Sequence, residues 1–577
     1  MPVDAAVAGR IRHLALQNAL EHDGRAEPGP ILSRLLAADP ALRSRAGELS
    51  PTVDAIVREI SGLSSEAQRS ELALLGGEEQ TTARPAGGST ASFPELPGAV
   101  PGQVVLRLAP FPSGTLHIGN ARMVFVNDHY RRRYDGKLLL VFDDTIGSED
   151  KRVDPELFDL IRQDLDRAGA APDAVYYKSD RIPRFYPWAR RVIQAGAAYV
   201  CRCPAALLRE NRAGGVACPE RSEGIPETLD HWQGMLDGRY AEGQAVLRLK
   251  TDMADPDPAF RDRVLFRISE RDHPRVGHRY RVWPLLEFSW AVDDVELGVT
   301  HVLRGKDLVI EDRMEQFLWD LLKETGPSFA HWGLLRVREA KLSKSKSYRE
   351  VKSGEYDGWA DPRTWSLASL DRRGISMEAV RRFTLSFGMS LADVEVPAET
   401  LYAENRSIID ATTSRRSFVA DPVRVNVTGF PGELSRVDLP NHPDLPALGS
   451  RVVEAGPSFW LARQDLSMRA GMEVRLKDLV NVELPREIPS TGTGPIVAPF
   501  TSRPNKKLPR LQWVGASGSA EVDLLGTEGQ HTHGIGEGSL VNSPPGAIYQ
   551  FERVGFVRVE ADWPQGTLPV RVCFGHP

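Results

Sequence analysis

Residues 104–120 read VVLRLAPFPSGTLHIGN, from Val104 to Asn120. The run Val104 to Leu108 is apolar except for Arg107 and suits a buried strand. Two prolines and two glycines follow between Pro110 and Gly119, and the pattern then turns helical from about Ile118 to Tyr134. A second apolar run, Leu138 to Phe142, comes next. Strand, loop, helix and strand at this spacing predict a βαβ unit and a parallel sheet. In such sheets ligands bind beyond the carboxyl ends of the strands. A helix that opens there offers unpaired N–H groups and a partial positive charge, which suit a triphosphate. His117 and Asn120, three apart on that helix, are expected to share a face and donate into one pocket. Gly119 would allow close approach of a nucleotide. Neither the dinucleotide glycine fingerprint nor the P-loop pattern is present.

Working outward, residues 1–75 carry helical spacing at Ile11, Leu14 and Leu20 and again at Ile56, Ile60 and Leu63. Residues 76–102 are rich in Gly, Pro, Ser and Thr and read as a linker. Strand-like runs lie at Ala245 to Leu249 and Val299 to Leu303. Between about 365 and 410 the pattern is helical, with Ser376 as an N-cap and Gly388 as a stop. From about 417 onward short β-rich runs alternate with turn residues, which predicts one or two antiparallel barrels or sandwiches. A second polar signal, Lys341-Leu342-Ser343-Lys344-Ser345-Lys346-Ser347, interleaves lysines with serines. It reads as a cationic loop able to close over a leaving pyrophosphate.

The 577 residues exceed a single core, so several domains are expected. The 26% of charged residues fit a globular chain. Four cysteines are too few for a disulfide scaffold and suit a reducing, cytoplasmic compartment. A net charge of −6 disfavours a nucleic-acid packaging role. It leaves a local RNA-binding face open, because attraction to phosphate is screened within about 8 Å. No apolar run is long enough to cross a bilayer, so no membrane partner is expected. Cys201, Cys203 and Cys218 cluster in sequence, with Glu220 as a fourth ligand for a tetrahedral zinc. They are expected to form at most a partial or labile site, and three reduced thiols are the alternative.

Together, LHIGN and KLSKS match the HIGH and KMSKS signatures of class I aminoacyl-tRNA synthetases in the right order. Further stretches, among them LEHDGRAEPGPILSRLLAADPALRS, FDDT, DDVELGVTHVLRGKD, GWADPR, DRRGI and FERVGFVRVE, resemble archaeal-type glutamyl-tRNA synthetases over nearly the whole chain. The resemblance implies a multidomain α/β fold. A helical N-terminal extension would cover residues 1–75, and a Rossmann-like catalytic domain residues 103–335. An acceptor-binding insertion would lie at about 195–265, a KMSKS and stem-contact region at 336–415, and an anticodon-binding β-barrel region at 416–577. It implies a monomer that ligates L-glutamate to tRNA through glutamyl-adenylate, with ATP as substrate and Mg²⁺ as its companion.

By the same resemblance, Pro110, Gly114, His117, Ile118, Gly119, Asn120, Lys341, Ser343 and Lys344 would hold ATP. His117, Asn120 and either Lys344 or Lys346 would serve catalysis. Arg107, Asp143 and Arg304 would hold glutamate, Arg304 pairing bidentately with its side-chain carboxylate. A sister glutaminyl enzyme carries a small neutral residue there. Asn120, Leu286 with Glu287 and Phe288, Ile146-Gly147 and Glu311 depart from the family pattern. They keep a divergent or non-catalytic tRNA-binding paralogue as an alternative, beside a glutaminyl enzyme, which Arg304 argues against, and another class I nucleotidyl-transfer enzyme, since HIGH-like motifs also occur in adenylyltransferases. Arg451, Arg463, Trp460, Trp513 and Arg558 are candidate anticodon contacts.

Overall fold

The computed structural model describes all residues except 1–4, 22–25, 30, 33–34, 36–45, 65–66, 69–70, 72–91, 146–152, 341–343, 490–493 and 505–506. The chain divides into two compact units, Met1–Gly87 and Gly88–Pro577. The first contains helices α1 (Ala5–Glu21) and α2 (Ala46–Ser61). Ile11, Leu16, Val53, Val57 and Ile60 are buried between them, as their helical spacing requires.

The second unit opens on the latter half of the expected linker, which is not a free tether. Leu96 is buried against the body, and its N–H donates to the Tyr134 hydroxyl at 3.0 Å. Strands β1 (Val105–Leu108), β2 (Lys137–Phe142) and β3 (Ala174–Tyr177) pair in parallel in that order. They alternate with helices α3 (Ile118–Arg133) and α4 (Glu156–Arg167). After helix α5 (Ile182–Gln194) the chain makes an antiparallel sheet of β4 (Ala198–Cys201), β5 (Val246–Leu249), β6 (Val264–Ile268) and β7 (Val282–Pro284). Helices α6 (Ala205–Gly214) and α7 (Ile225–Leu236) interrupt it. This sheet occupies the place of the expected insertion and continues to Pro284.

Helix α8 (Leu286–Glu296) leads back to β8 (His301–Gly305). After α9 (Val309–Leu322), β9 (Ser328–Trp332) pairs in parallel with β8. Thr300 N–H donates to Val105 O at 3.0 Å, which sets the β8–β9 pair beside β1. The order is therefore β3-β2-β1-β8-β9.

Both faces of this sheet are apolar, as a parallel sheet demands. Leu106, Leu108, Leu138, Leu140 and Leu303 pack on the side of α3. Val105, Leu139, Val141 and Val302 pack on the other. Strand β10 (Leu335–Val337), helices α10 (Lys344–Ser353), α11 (Leu367–Arg372) and α12 (Met377–Leu385), strand β11 (Val394–Val396) and helix α13 (Glu399–Ile409) complete the region. Ser376 caps α12 through a bond from Ala379 N–H. The helix ends at Leu385, before Gly388, whose φ of 54° turns the chain.

Beyond residue 413 the described residues form a two-stranded sheet, Arg436–Pro440 with Ser450–Glu454, and two seven-stranded ones. In one, the end strands Ser414–Arg416 and Phe418–Ala420 are separated by one residue. In the other, the end strands Arg510–Leu511 and Val514–Gly515 are separated by two. A single segment thus joins both edges of each sheet and closes it into a barrel, which removes exposed edges. The barrels are mixed rather than purely antiparallel. Ser519–Leu525 pairs in parallel with Val570–His576, and Pro422–Thr428 with Ile496–Ser502. The distal barrel, 422–515, is inserted between strands of the proximal one. No helix among the described residues is long and apolar enough to cross a membrane.

Candidate active site

The two-residue period of a strand decides which side chains meet. Arg107 has the parity of Val105, Asp143 that of Val141, and Arg304 that of Val302. All three lie on the face opposite α3, at the carboxyl ends of β1, β2 and β8. The turn after β3 adds Lys178, which is fully buried. Helices α8 and α9 cover this face. Trp290 and Asp294 share one side of α8 at an i, i+4 spacing, and Asp312 and Glu315 share one side of α9 at i, i+3.

The indole of Trp290 is the centre of the cluster. Arg107 Cζ lies 5.0 Å from its ring centroid, Lys178 Nζ 5.2 Å and Arg304 Cζ 4.9 Å. Each cation also has a carboxylate. Arg107 donates from Nε and Nη2 to Asp294, the latter at 2.8 Å. Lys178 Nζ sits 3.0 Å from Asp143 Oδ1 and donates to Ser289 Oγ at 2.6 Å. Arg304 donates from Nε to Asp312 at 2.8 Å and from Nη2 to Asp312 and to Glu315, the last at 2.7 Å. Burial pushes the Glu315 carboxyl well above the usual range, against the pull of Arg304.

Of the three residues expected to hold the amino acid, Arg107 and Arg304 face one ring, and Asp143 joins them through Lys178. Arg304 directs Nε and Nη2 to Asp312 and Glu315. Nη1 is buried without a hydrogen-bond partner among the described residues. Sequence reasoning missed Trp290, Lys178, Asp294, Asp312 and Glu315. The i, i+4 and i, i+3 spacings on two helices were the available signal.

The loop after β1 lies beside this cluster. Asp143 N–H donates to Pro110 O at 3.1 Å. Pro110, Gly114 and Ile118 are buried, and Gly119 is exposed at the start of α3. The expectation of unpaired amides there is overturned. Ile118 N–H donates to Trp365 O at 3.0 Å, Gly119 N–H to His117 Nδ1 at 3.1 Å and Asn120 N–H to His117 O at 2.7 Å. Asn120 Oδ1 accepts from His117 N–H at 3.3 Å, completing a capping box. His117 Nδ1 and Asn120 Oδ1 thus act as acceptors that shape the helix start, which leaves the donor roles to His117 Nε2 and Asn120 Nδ2. Asp164 on α4 holds the loop from behind, its Oδ2 accepting from Leu116 N–H at 3.0 Å. Burial pushes its carboxyl up to about 7.

Lys341 and Ser343 lie outside the described residues, as do Ile146 and Gly147. Lys344 opens α10, and Lys346 is exposed, 3.4 Å from Glu350. Helix α10 is tied to the nucleotide-loop side of the sheet. Tyr348 donates to Asp154 at 3.1 Å, Lys352 Nζ sits 2.9 Å from it, and Asp154 N–H donates to Pro112 O at 3.3 Å. The departures Glu287 and Glu311 both pair with Arg263, the second at 3.0 Å.

The Sγ atoms of Cys201, Cys203 and Cys218 lie within 4.8 Å of one another. Glu220 Oε2 is 3.7 Å from Cys203 Sγ, and the buried Arg248 donates to Cys218 Sγ at 3.0 Å. Cys573 is buried in the proximal barrel, apart from these. Of the candidate anticodon residues, Trp513 belongs to the distal barrel core and donates to Lys477 O. Arg451 pairs bidentately with Glu537, Arg463 with Asp421 and Arg558 with Asp371. Trp460 lies on the strand Ser458–Ala462 of the distal barrel.

A parallel sheet of this order, with a capped loop after β1 and charged residues at its carboxyl edge, defines a Rossmann-type class I nucleotide-binding core. Residues 103–410 match the model of the tRNA synthetases class I (E and Q), catalytic domain. Residues 413–499 and 510–560 match the two anti-codon binding domain models of the same group. The chain belongs to this family of tRNA synthetases. It is 39% identical to the glutamate–tRNA ligase of Methanopyrus kandleri, over 98% of each chain. It is also 39% identical to the ligase of the same name from Methanothermobacter marburgensis, over 95% of this chain and 96% of that one. The corresponding protein of Pyrococcus furiosus is 39% identical over the same shares.

Proposed function

We propose that this protein ligates L-glutamate to tRNA in two steps. The glutamate carboxylate attacks the α-phosphate of ATP, giving glutamyl-adenylate and pyrophosphate. The terminal ribose hydroxyl of tRNA then takes the glutamyl group and releases AMP. The observation that carries the choice of amino acid is the buried Arg304, with Nη1 still able to receive a carboxylate. A neutral amide in its place would leave that donor poorly compensated, at a cost on the order of 1–3 kcal/mol.

The loop from Pro110 to Gly114, His117 and the start of α3 would hold ATP, with Mg²⁺ as counter-ion. Lys344 or Lys346 would stabilise the charge that develops on pyrophosphate. Cys201, Cys203 and Cys218 would supply three thiolates to a partial or labile zinc, with three reduced thiols as the alternative. Arg248 would then donate to a bound thiolate.

The two barrels would read the anticodon. A cavity of about 200 Å³, lined in part by Arg415, Arg451, Arg510, Gln512 and Trp513, offers basic and aromatic groups for a splayed base. ATP–pyrophosphate exchange with tRNA present tests the reading. Glutamate should drive exchange and glutamine should not. Exchange with glutamine alone would assign the sister activity, and a Lys344→Ala/Lys346→Ala double variant exchanging at the full rate would remove the flap role.

A further inference from the structure

Trp290 has no role in what precedes beyond filling space, yet its surroundings are not those of a filler. It is 5% exposed and carries three cations around its ring, from the ends of β1, β3 and β8. Its Nε1–H, like Arg304 Nη1, is buried with no hydrogen-bond partner among the described residues. Buried donors are usually paired, and these two belong to side chains in contact, so one acceptor between them would satisfy both. An anionic acceptor would suit them, because three cations, Arg107, Lys178 and Arg304, surround the ring.

We propose that Trp290 is a specificity-determining residue of the amino-acid site, its indole N–H joining Arg304 Nη1 as the second donor to the substrate's side-chain carboxylate. This rests on the glutamate reading above. The indole supplies what Arg304 has given up to Asp312 and Glu315, a second hydrogen bond to the same group. Its face also excludes water, which strengthens the discrimination against an amide.

Trp290→Phe keeps the ring and deletes the donor. In tRNA-dependent exchange, its KM for glutamate should rise about tenfold, the value of one such hydrogen bond, with KM for ATP within about twofold. Its preference for glutamate over glutamine should fall. An unchanged glutamate KM and preference would overturn the proposal, as would an equal rise in both KM values. Should the variant not fold, ¹⁹F spectra of the wild type labelled with 5-fluorotryptophan give the answer. One resonance should move when glutamate is added in the presence of tRNA, and none moving overturns the role. A wild type that exchanges only with glutamine defeats the glutamate assignment itself, whereas a wild type using glutamate beside an identical Phe variant defeats only this inference.

Discussion

At the scale of single residues, a guanidinium among carboxylates differs from the solvated cation that a sequence displays. Arg304 was legible as a position through the family resemblance of HVLRG, and the strand parity then placed it with Arg107 and Asp143. Its bonding was not, since Asp312 and Glu315 come from a helix that no local pattern ties to β8. Asp164 is another such residue, invisible in sequence because its partner, Leu116 N–H, is backbone. Burial raises its pKa from 3.8 to about 7, so the native state holds its proton more tightly than the unfolded chain. That contribution is present below about pH 4 and is lost as pH rises through about 7. Asp164→Asn removes it. The difference in Tm between variant and wild type should therefore be more positive at pH 7.5 than at pH 5, and thermal melts at the two values measure it.

At the scale of elements, the boundaries of α3, β1 and β2 followed from period and punctuation within a residue, whereas β3 was not read from the sequence. The use of the α3 start did not. A helix N-terminus reads as an open anion site only if nothing local caps it, and here His117 and Asn120 close the capping box. The cap and the chemistry are separable. His117→Ala should cost about 1 kcal/mol through loss of the acceptor for Gly119 N–H. His117→Asn should restore that stability, because an asparagine oxygen caps equally well, yet leave pyrophosphate exchange depressed. Urea unfolding and exchange assays on the two variants separate the roles. Recovery of exchange in the Asn variant would mean that the cap is the whole contribution.

At the scale of the whole molecule, the change from helical to β character near residue 417 was plain from composition. The closure of each barrel by one continuous segment was not, since it depends on pairings about a hundred residues apart. The candidate RNA contacts show the same limit. Most of the arginines picked out by type turn out to hold internal carboxylates, because a charge pattern does not reveal which partner folding supplies. Arg510, exposed on a closing strand beside the interbarrel cavity, is the better probe. Arg510→Glu should raise KM for tRNA several-fold and lower the slope of log affinity against log salt by about 1, with KM for glutamate and ATP unchanged.

The distal barrel leaves the proximal one after Ala420 and returns at Ser519, on either side of the strand His531–Glu537. Its two ends are thus neighbours in space, and the host barrel is complete without it. Such a cassette can be exchanged for another module through two adjacent splice points, leaving the catalytic half untouched. If the barrels read the anticodon as proposed, the fold permits the choice of tRNA to change by recombination while the choice of amino acid stays fixed.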